Sequence, residues 1–265
     1  MEEAQRFAFG KNWQSYSINS LTPARIEQSC RAFRDLVTGI DLRGRRFIDI
    51  GYGQGLSLIA AAQMGATVLG IDVDQDNIEA LRRVQQAIGY PEVIEIRSAS
   101  ILDEGFVNEH RGLFDIVHSW GVLHHTGNMR QAIENACALV AAEGYFICAI
   151  YNRHWSSPVW KIIKWSYNSL PGPLRRAMIA LLYPVIYAAK FLVTRKNPKQ
   201  MDRGMDFLHD VVDWIGGYPY EYADIEEIRN DVCRQGFSCL RVRAAQVPTG
   251  CNEFMFQKTN SPVRS

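Results

Sequence analysis

The sequence predicts a doubly wound α/β fold, and three observations predict it. β-like and helical runs alternate from Arg45 to Tyr151, glycines cluster where the first strand meets the first helix, and two strands joined by a Pro/Gly turn end the chain. In order, Arg46–Gly51 reads as a short buried strand, and Leu56–Met64 as a helix of small residues suited to close packing on a sheet. Ala66–Asp72 is the second strand. Asp76–Ile88 carries Ile78, Leu81, Val84 and Ile88 at helical spacing. Val93–Ser98 and Phe114–Trp120 are further strands, Met129–Val140 a helix, and Gly144–Tyr151 a fifth strand. The alternation breaks after Trp155 and returns with a helix at 224–235. Strands near Phe237–Ala245 and Glu253–Lys258 follow, turned around Pro248 and Gly250 into an antiparallel hairpin.

Composition narrows the function. The chain has 265 residues, 47% hydrophobic, enough to bury a sizeable core, and a formal net charge of +1. A nucleic-acid substrate is disfavoured because no overall basic excess is present. The six cysteines include no Cys-x-x-Cys pair, so no zinc site is expected; several sit in apolar stretches as small hydrophobes. The polar opening Met1–Arg6 does not resemble an export signal, and the expected location is the cytoplasm.

The strongest motif is Phe47-Ile-Asp-Ile-Gly-Tyr-Gly-Gln-Gly55. Gly51, Gly53 and Gly55 permit a tight turn and close backbone approach to a ligand, and the following helix offers free N–H groups. A dinucleotide fingerprint wants a third glycine where Leu56 stands, so that pattern fails. Asp49 with Gly55 fits a loop for S-adenosylmethionine instead. Asp72, followed by Val73, ends the second strand, where a carboxylate can accept hydrogen bonds from both ribose hydroxyls. Asp74 suits the turn that starts the next helix. Ser100 and Ile101 are placed to meet the edge and face of an adenine; the same segment also suits a helix cap before Glu104.

Across Phe47–Tyr151 these pieces resemble the class I S-adenosylmethionine-dependent methyltransferases, and in particular bacterial small-molecule enzymes similar to those of ubiquinone and menaquinone biosynthesis. The resemblance implies a Rossmann-like sheet of seven strands, mostly parallel with the last antiparallel. It implies S-adenosyl-L-methionine as cofactor. Tyr52 replaces the small residue or cysteine often found in the loop, so its ring is expected to pack on the cofactor. Arg25, in Thr22-Pro-Ala-Arg-Ile, corresponds to an arginine that holds the methionine carboxylate, although it also suits a solvated helix.

The fourth strand runs into Ser119-Trp-Gly-Val-Leu-His-His-Thr126, at the edge where α/β sheets bind ligands. His124 is expected to take a proton from the acceptor, with His125 structural or secondary; the alternative is a pair of hydrogen-bonded loop histidines. Trp120 would border the cofactor, and His118, inside the strand, reads as a core histidine. No compact His/Asp/Glu set calls for a metal.

Two segments could cover the site. Aromatics including Trp13 and Tyr16 suggest a lid at Phe7–Ser17, or a docking arm. The insertion after Tyr151, itself assigned to the substrate side, carries Trp155, Trp160 and Trp165 and then a 17-residue apolar run, Ala177–Val193. Broken by Pro184 and Lys190, that run falls short of a convincing membrane span. With basic flanks it suits a substrate cap, a homodimer interface or peripheral membrane contact through 155–196. In Arg203–Glu221, His209 and Asp213 share a helix face and are placed on the substrate wall.

The expected organisation is a helical lid at 1–44, a cofactor-binding core at 45–151, a helical insertion at 152–220 and a completion of the sheet at 221–265. The expected reaction is methylation of a small molecule, at an oxygen of a hydroxylated apolar or ring-bearing compound. N- or C-methylation, a non-catalytic cofactor-binding partner protein and a nicotinamide-dependent oxidoreductase are the competing readings.

Overall fold

The computed structural model describes residues 7–90, 92–199 and 205–259. Met1–Arg6 and Arg203–Gly204, both used above, lie outside them. Helices α1 (Phe9–Asn19) and α2 (Pro23–Leu36) precede the sheet. Thr22 caps α2 by accepting from the Arg25 N–H, and Pro23 follows where no N–H is needed. The alternating region comprises β1 (Arg46–Ile50), α3 (Leu56–Gln63), β2 (Thr67–Asp72), α4 (Asp76–Ile88), β3 (Glu95–Ser98), α5 (Glu104–Glu109), β4 (Phe114–Trp120), α6 (Met129–Leu139) and β5 (Val140–Tyr151). Helices α7 (Ser157–Ser169), α8 (Gly172–Thr194) and α9 (Phe207–Gly216) fill the insertion. The chain closes with α10 (Ile225–Cys233), β6 (Phe237–Arg243) and β7 (Cys251–Lys258).

The seven strands form one sheet in the order β3-β2-β1-β4-β5-β7-β6. The first five pair in parallel, and β7 runs antiparallel to both β5 and β6. The Rossmann-like sheet and its antiparallel last strand are as expected. The other boundaries shift by at most two residues, and the largest difference is at β5, which begins at Val140 rather than Gly144. Glu143 takes a positive φ of 60° and the β4–β5 register shifts between Phe114 and Ile116, so the strand absorbs an irregularity where a turn was expected.

Strand alternation divides the core. Phe47, Ile116 and Ile147 pack on one face with Phe33, Leu58 and Leu81 from α2, α3 and α4. Ile48, Val117 and Phe146 turn to the other face, against Phe106, Ile133 and Ile228 from α5, α6 and α10. Each such buried side chain stabilises the fold by about 1.5–3 kcal/mol.

A smaller cluster joins Tyr167, Phe207, Val211 and Ile215 to the inner face of α8. Here the apolar run Ala177–Val193 lies inside a longer helix, which begins five residues before it and ends one residue after it. α8 spans 23 residues and passes straight through Pro184. Proline removes one N–H and displaces the carbonyl four residues back, at Ala180, which lies on the exposed side where water can satisfy it. By length and composition alone, α8 is apolar enough to cross a bilayer.

The parallel order brings the loops after β1, β2, β4 and β5 to one edge of the sheet, where the candidate site lies.

Candidate active site

The chain turns immediately after β1. Gly51 and Gly53 adopt φ of 72° and 54°, a region that side chains rarely tolerate. A Cβ on Gly51 would lie 2.5 Å from the Val122 side chain, and one on Gly53 3.1 Å from the Trp13 indole nitrogen. Gly55 caps α3 in the same left-handed region. Beneath the loop, His118 donates from Nδ1 to Asp49 Oδ1 at 2.7 Å, tying β4 to β1. His118 stacks between Phe47 and Trp120 and is, as expected, a core histidine. Asp49 therefore braces the loop from below.

Asp72 ends β2 beside this loop. Its carboxylate accepts from the Gly53 N–H at 3.2 Å and from the Asp74 N–H at 2.9 Å. Burial disfavours its charge and pushes its pKa up to about 6. Asp74 accepts from the Asp76 N–H, starting α4 as expected, and its second oxygen accepts from the Gly10 N–H at 2.7 Å. That bond fastens α1 over the loop.

Helix α1 is held on its other side by α9. Asn12 donates to Asp213 Oδ1 at 2.7 Å and to the His209 carbonyl at 3.1 Å. Ser15 meets His209 Nε2 at 3.3 Å, while His209 Nδ1 pairs with Asp206 at 2.9 Å. Tyr16 is fully buried, edge-on to both Trp13 and His209. Tyr16 and His209, assigned to substrate contact, instead clamp the N-terminal helix. Trp13, also assigned to the substrate side, lies with its ring against Gly53 of the glycine loop.

After β4, a short 3-10 turn spans Leu123–His125. His124 is completely buried, its ring centroid 4.0 Å from that of Tyr151, and its Nδ1 accepts from the Tyr151 N–H at 3.3 Å. The proton then resides on Nε2, which has no partner among the described residues. His125 is arranged the opposite way: its Nδ1 donates to the Pro219 carbonyl at 2.6 Å, leaving the lone pair on Nε2. Gly217 makes room for that ring, since a Cβ there would sit 2.8 Å from His125 Cε1. The Gly-Gly-Tyr-Pro turn thus selects the tautomer of a histidine far away in sequence. Glu221 reinforces the link, its N–H donating to the His124 carbonyl and its carboxylate accepting from the Met129 N–H.

Sequence reasoning missed Lys164. It is completely buried, with Nζ 5.4, 4.8 and 4.7 Å from the ring centres of Tyr151, Trp214 and Tyr220, and it donates to the Trp214 carbonyl. Burial pulls its pKa down to about 7. Desolvation, with Lys164 adding repulsion, holds both imidazoles neutral: His125 falls to about 3 and His124 well below its ordinary value. Asp213 moves the other way, to about 8, chiefly through burial. The only hint of Lys164 in the sequence is a lysine inside the aromatic run Trp160–Trp165.

Several other expected contacts are placed differently. The Arg25 guanidinium is engaged by Asp206 at 2.9 Å and the Ser20 carbonyl at 2.7 Å, so it does not stand free for a carboxylate. Tyr52 turns into the core against Gly70, whose missing side chain makes the space. Ile101 is likewise buried in the core, and its carbonyl accepts from Asn135. Ser100 accepts from the Leu102 N–H, while the cap before Glu104 is Asp103. Val73 is 57% exposed at the loop tip.

This architecture can be compared with known proteins. A family model described as a methyltransferase domain matches residues 24–181. The chain belongs to this methyltransferase family. Ubiquinone biosynthesis O-methyltransferase of Bordetella avium is 29% identical over 150 residues, covering 57% of this chain and 58% of that protein. The protein of the same name from Methylobacterium nodulans is 32% identical over 155 residues, covering 57% and 60%. The chain thus spans about three fifths of the length of these curated methyltransferases. Among solved structures, magnesium protoporphyrin IX methyltransferase from Synechocystis with bound SAH aligns at a TM-score of 0.54 with 18% identity, covering 88% of this chain and 83% of that one. An O-methyltransferase family protein from Burkholderia thailandensis aligns at 0.55 with 16% identity, covering 90% and 58%. At these identities the likeness is one of methyltransferase fold.

Proposed function

We propose that this chain transfers a methyl group from S-adenosylmethionine to an oxygen of a small, hydroxylated, apolar or ring-bearing molecule. The observation that carries the reading is the convergence, at one sheet edge, of the glycine loop, Asp72 and an unprotonated His125 Nε2.

The residues fit the cofactor. Asp72 holds a costly buried charge that two ribose hydroxyls would stabilise. Gly53 leaves the loop backbone bare, and Trp13 lies across it as a wall that excludes water. When bound, S-adenosylmethionine supplies a methyl carbon on a sulfonium, which departs as a neutral thioether under in-line attack. The chain's own task is alignment and proton removal. His125 Nε2 accepts the hydroxyl proton while Nδ1–H on Pro219 keeps the ring oriented, the arrangement expected of a positioned base. This reverses the expected roles of the two histidines: His124 Nδ1 is already occupied by the Tyr151 N–H. Tyr151 and Trp214, edge-on to each other and partly exposed, supply an aromatic wall for the acceptor. Lys164, charged below about pH 7, opposes formation of an imidazolium, so the base works best once Lys164 is neutral.

The test is incubation with methyl-labelled S-adenosylmethionine and a panel of phenols, catechols and aliphatic alcohols, beside their amine and carbon-acid counterparts. Label transferred to a hydroxyl, and lost in His125→Ala, supports the reading. Label on nitrogen or carbon alone would redirect it, and tight cofactor binding without transfer to any acceptor would favour a binding module.

A further inference from the structure

Among the described residues, nothing packs on the outward surface of α8. Between Ala177 and Val193, every exposed residue is apolar: the alanines at 177, 180, 188 and 189, with Leu181, Pro184, Val185, Phe191, Leu192 and Val193. Leu181 is 71% exposed, Val185 58% and Leu192 60%. On α7, which also packs against α8, Val159 and Ile162 are exposed, as is Trp155 just before it. A water-soluble surface rarely leaves so long an apolar stripe open.

Charge identifies what covers it. Between Glu143 and Asp202 the sequence holds nine lysines and arginines and no acidic residue, although the whole chain is nearly neutral. Lys161, Arg176, Arg195, Lys196 and Lys199 are exposed around the stripe. A second copy docked here would bring basic rims together with no carboxylate in the segment to pair them. An anionic lipid surface supplies both partners: headgroup charge for the rim and acyl chains for the stripe.

The inner face fixes the orientation. Lys190 pairs with Asp210 at 3.2 Å, Tyr183 and Tyr187 pack on Phe207, and Arg175 binds the carbonyls of Asn168 and Leu170. A helix held along its side by α7 and α9 lies in a membrane interface; crossing the bilayer would tear these contacts open. We infer that α8, with the adjoining face of α7, docks this protein flat onto an anionic membrane surface. The inference is independent of methyl transfer.

The test is flotation of the full chain with vesicles of phosphatidylcholine alone or with about a quarter phosphatidylglycerol, the anionic composition that attracts basic segments. The wild type is expected to float with the anionic vesicles, at least tenfold better than with neutral ones, and to be released by salt. Leu181→Glu with Val185→Glu, both on the exposed face and checked for native circular dichroism, should remain unbound. Arg195→Ser with Lys196→Ser, beyond the last helical turn, should weaken binding to anionic vesicles and leave the fold intact. Failure of the wild type to float overturns the inference. So does equal binding to neutral vesicles, or a solution dimer that the Glu pair dissolves in a protein that ignores vesicles.

Discussion

His125 donates a hydrogen bond of 2.6 Å from Nδ1 to the carbonyl of Pro219. A carbonyl only accepts, so this contact determines which ring nitrogen keeps its lone pair. The two histidines of the turn therefore have different work. His125→Ala is expected to lower kcat by about 10²–10⁴ while leaving the cofactor Kd unchanged. His124→Ala removes a fully buried ring packed on Tyr151 and should instead lower thermal stability. Steady-state kinetics beside a thermal melt separates the two outcomes.

Under the proposed function, Asp72 should make cofactor affinity depend on pH. Its pKa of about 6 is raised, so the carboxylate needed to accept ribose hydroxyls is lost as pH falls through 6. Affinity for S-adenosylmethionine should be flat above pH 7 and weaken by about tenfold per pH unit well below 6. Asp72→Asn should bind weakly at every pH and abolish the slope, as measured by titration calorimetry.

Lys164 should set the pH dependence of turnover. With its pKa pulled down to about 7, the ammonium loses its charge as pH rises through neutrality, and its repulsion of a protonated His125 disappears. kcat is expected to climb through pH 7 in the wild type and to be flat there in Lys164→Met. A climb unchanged in the variant would assign the titration to another group.

Asp213 carries a stability cost that grows with pH. Its folded pKa of about 8 lies above the ordinary carboxylate value, so the folded chain holds a proton that the unfolded chain has released. Its contribution to stability is full below about pH 4 and declines as pH rises to 8. Asp213→Asn keeps an acceptor for Asn12 and should remove this decline, raising the urea midpoint at pH 8 more than at pH 5.

Asp74 anchors the helix that covers the site. Asp74→Ala removes the acceptor of the Gly10 N–H and should speed amide exchange across Phe9–Asn19, with little change in the sheet. The Asn12–Asp213 bond, left in place, should keep the helix from detaching altogether.

The sheet was legible because strand and helix periods alternate so regularly, and because Gly51, Gly53 and Asp72 mark where the chain must turn beside a ligand edge. Side-chain direction was less legible. Tyr52 reads as a loop aromatic, yet it turns inward because Gly70, on the neighbouring strand, leaves space for its ring. Ile101 looks like an adenine platform but completes the core. The choice between His124 and His125 depends on Pro219, and that of Arg25 on Asp206, partners that adjacent sequence cannot reveal. Lys164 was hidden for the same reason: its cage is assembled from β5, α9 and the turn beyond it. The length of α8 was not legible because Pro184 reads as a break, whereas the Ala180 carbonyl that it leaves without a donor belongs to an exposed residue.

The most direct measurement is calorimetric titration of the wild type and Asp72→Asn with S-adenosylmethionine, S-adenosylhomocysteine and NAD. One-site binding of both adenosyl sulfur ligands, weakened at least tenfold in Asp72→Asn and absent for NAD, is the expected result. Binding of NAD alone, or of none of the three by a folded protein, would contradict the account.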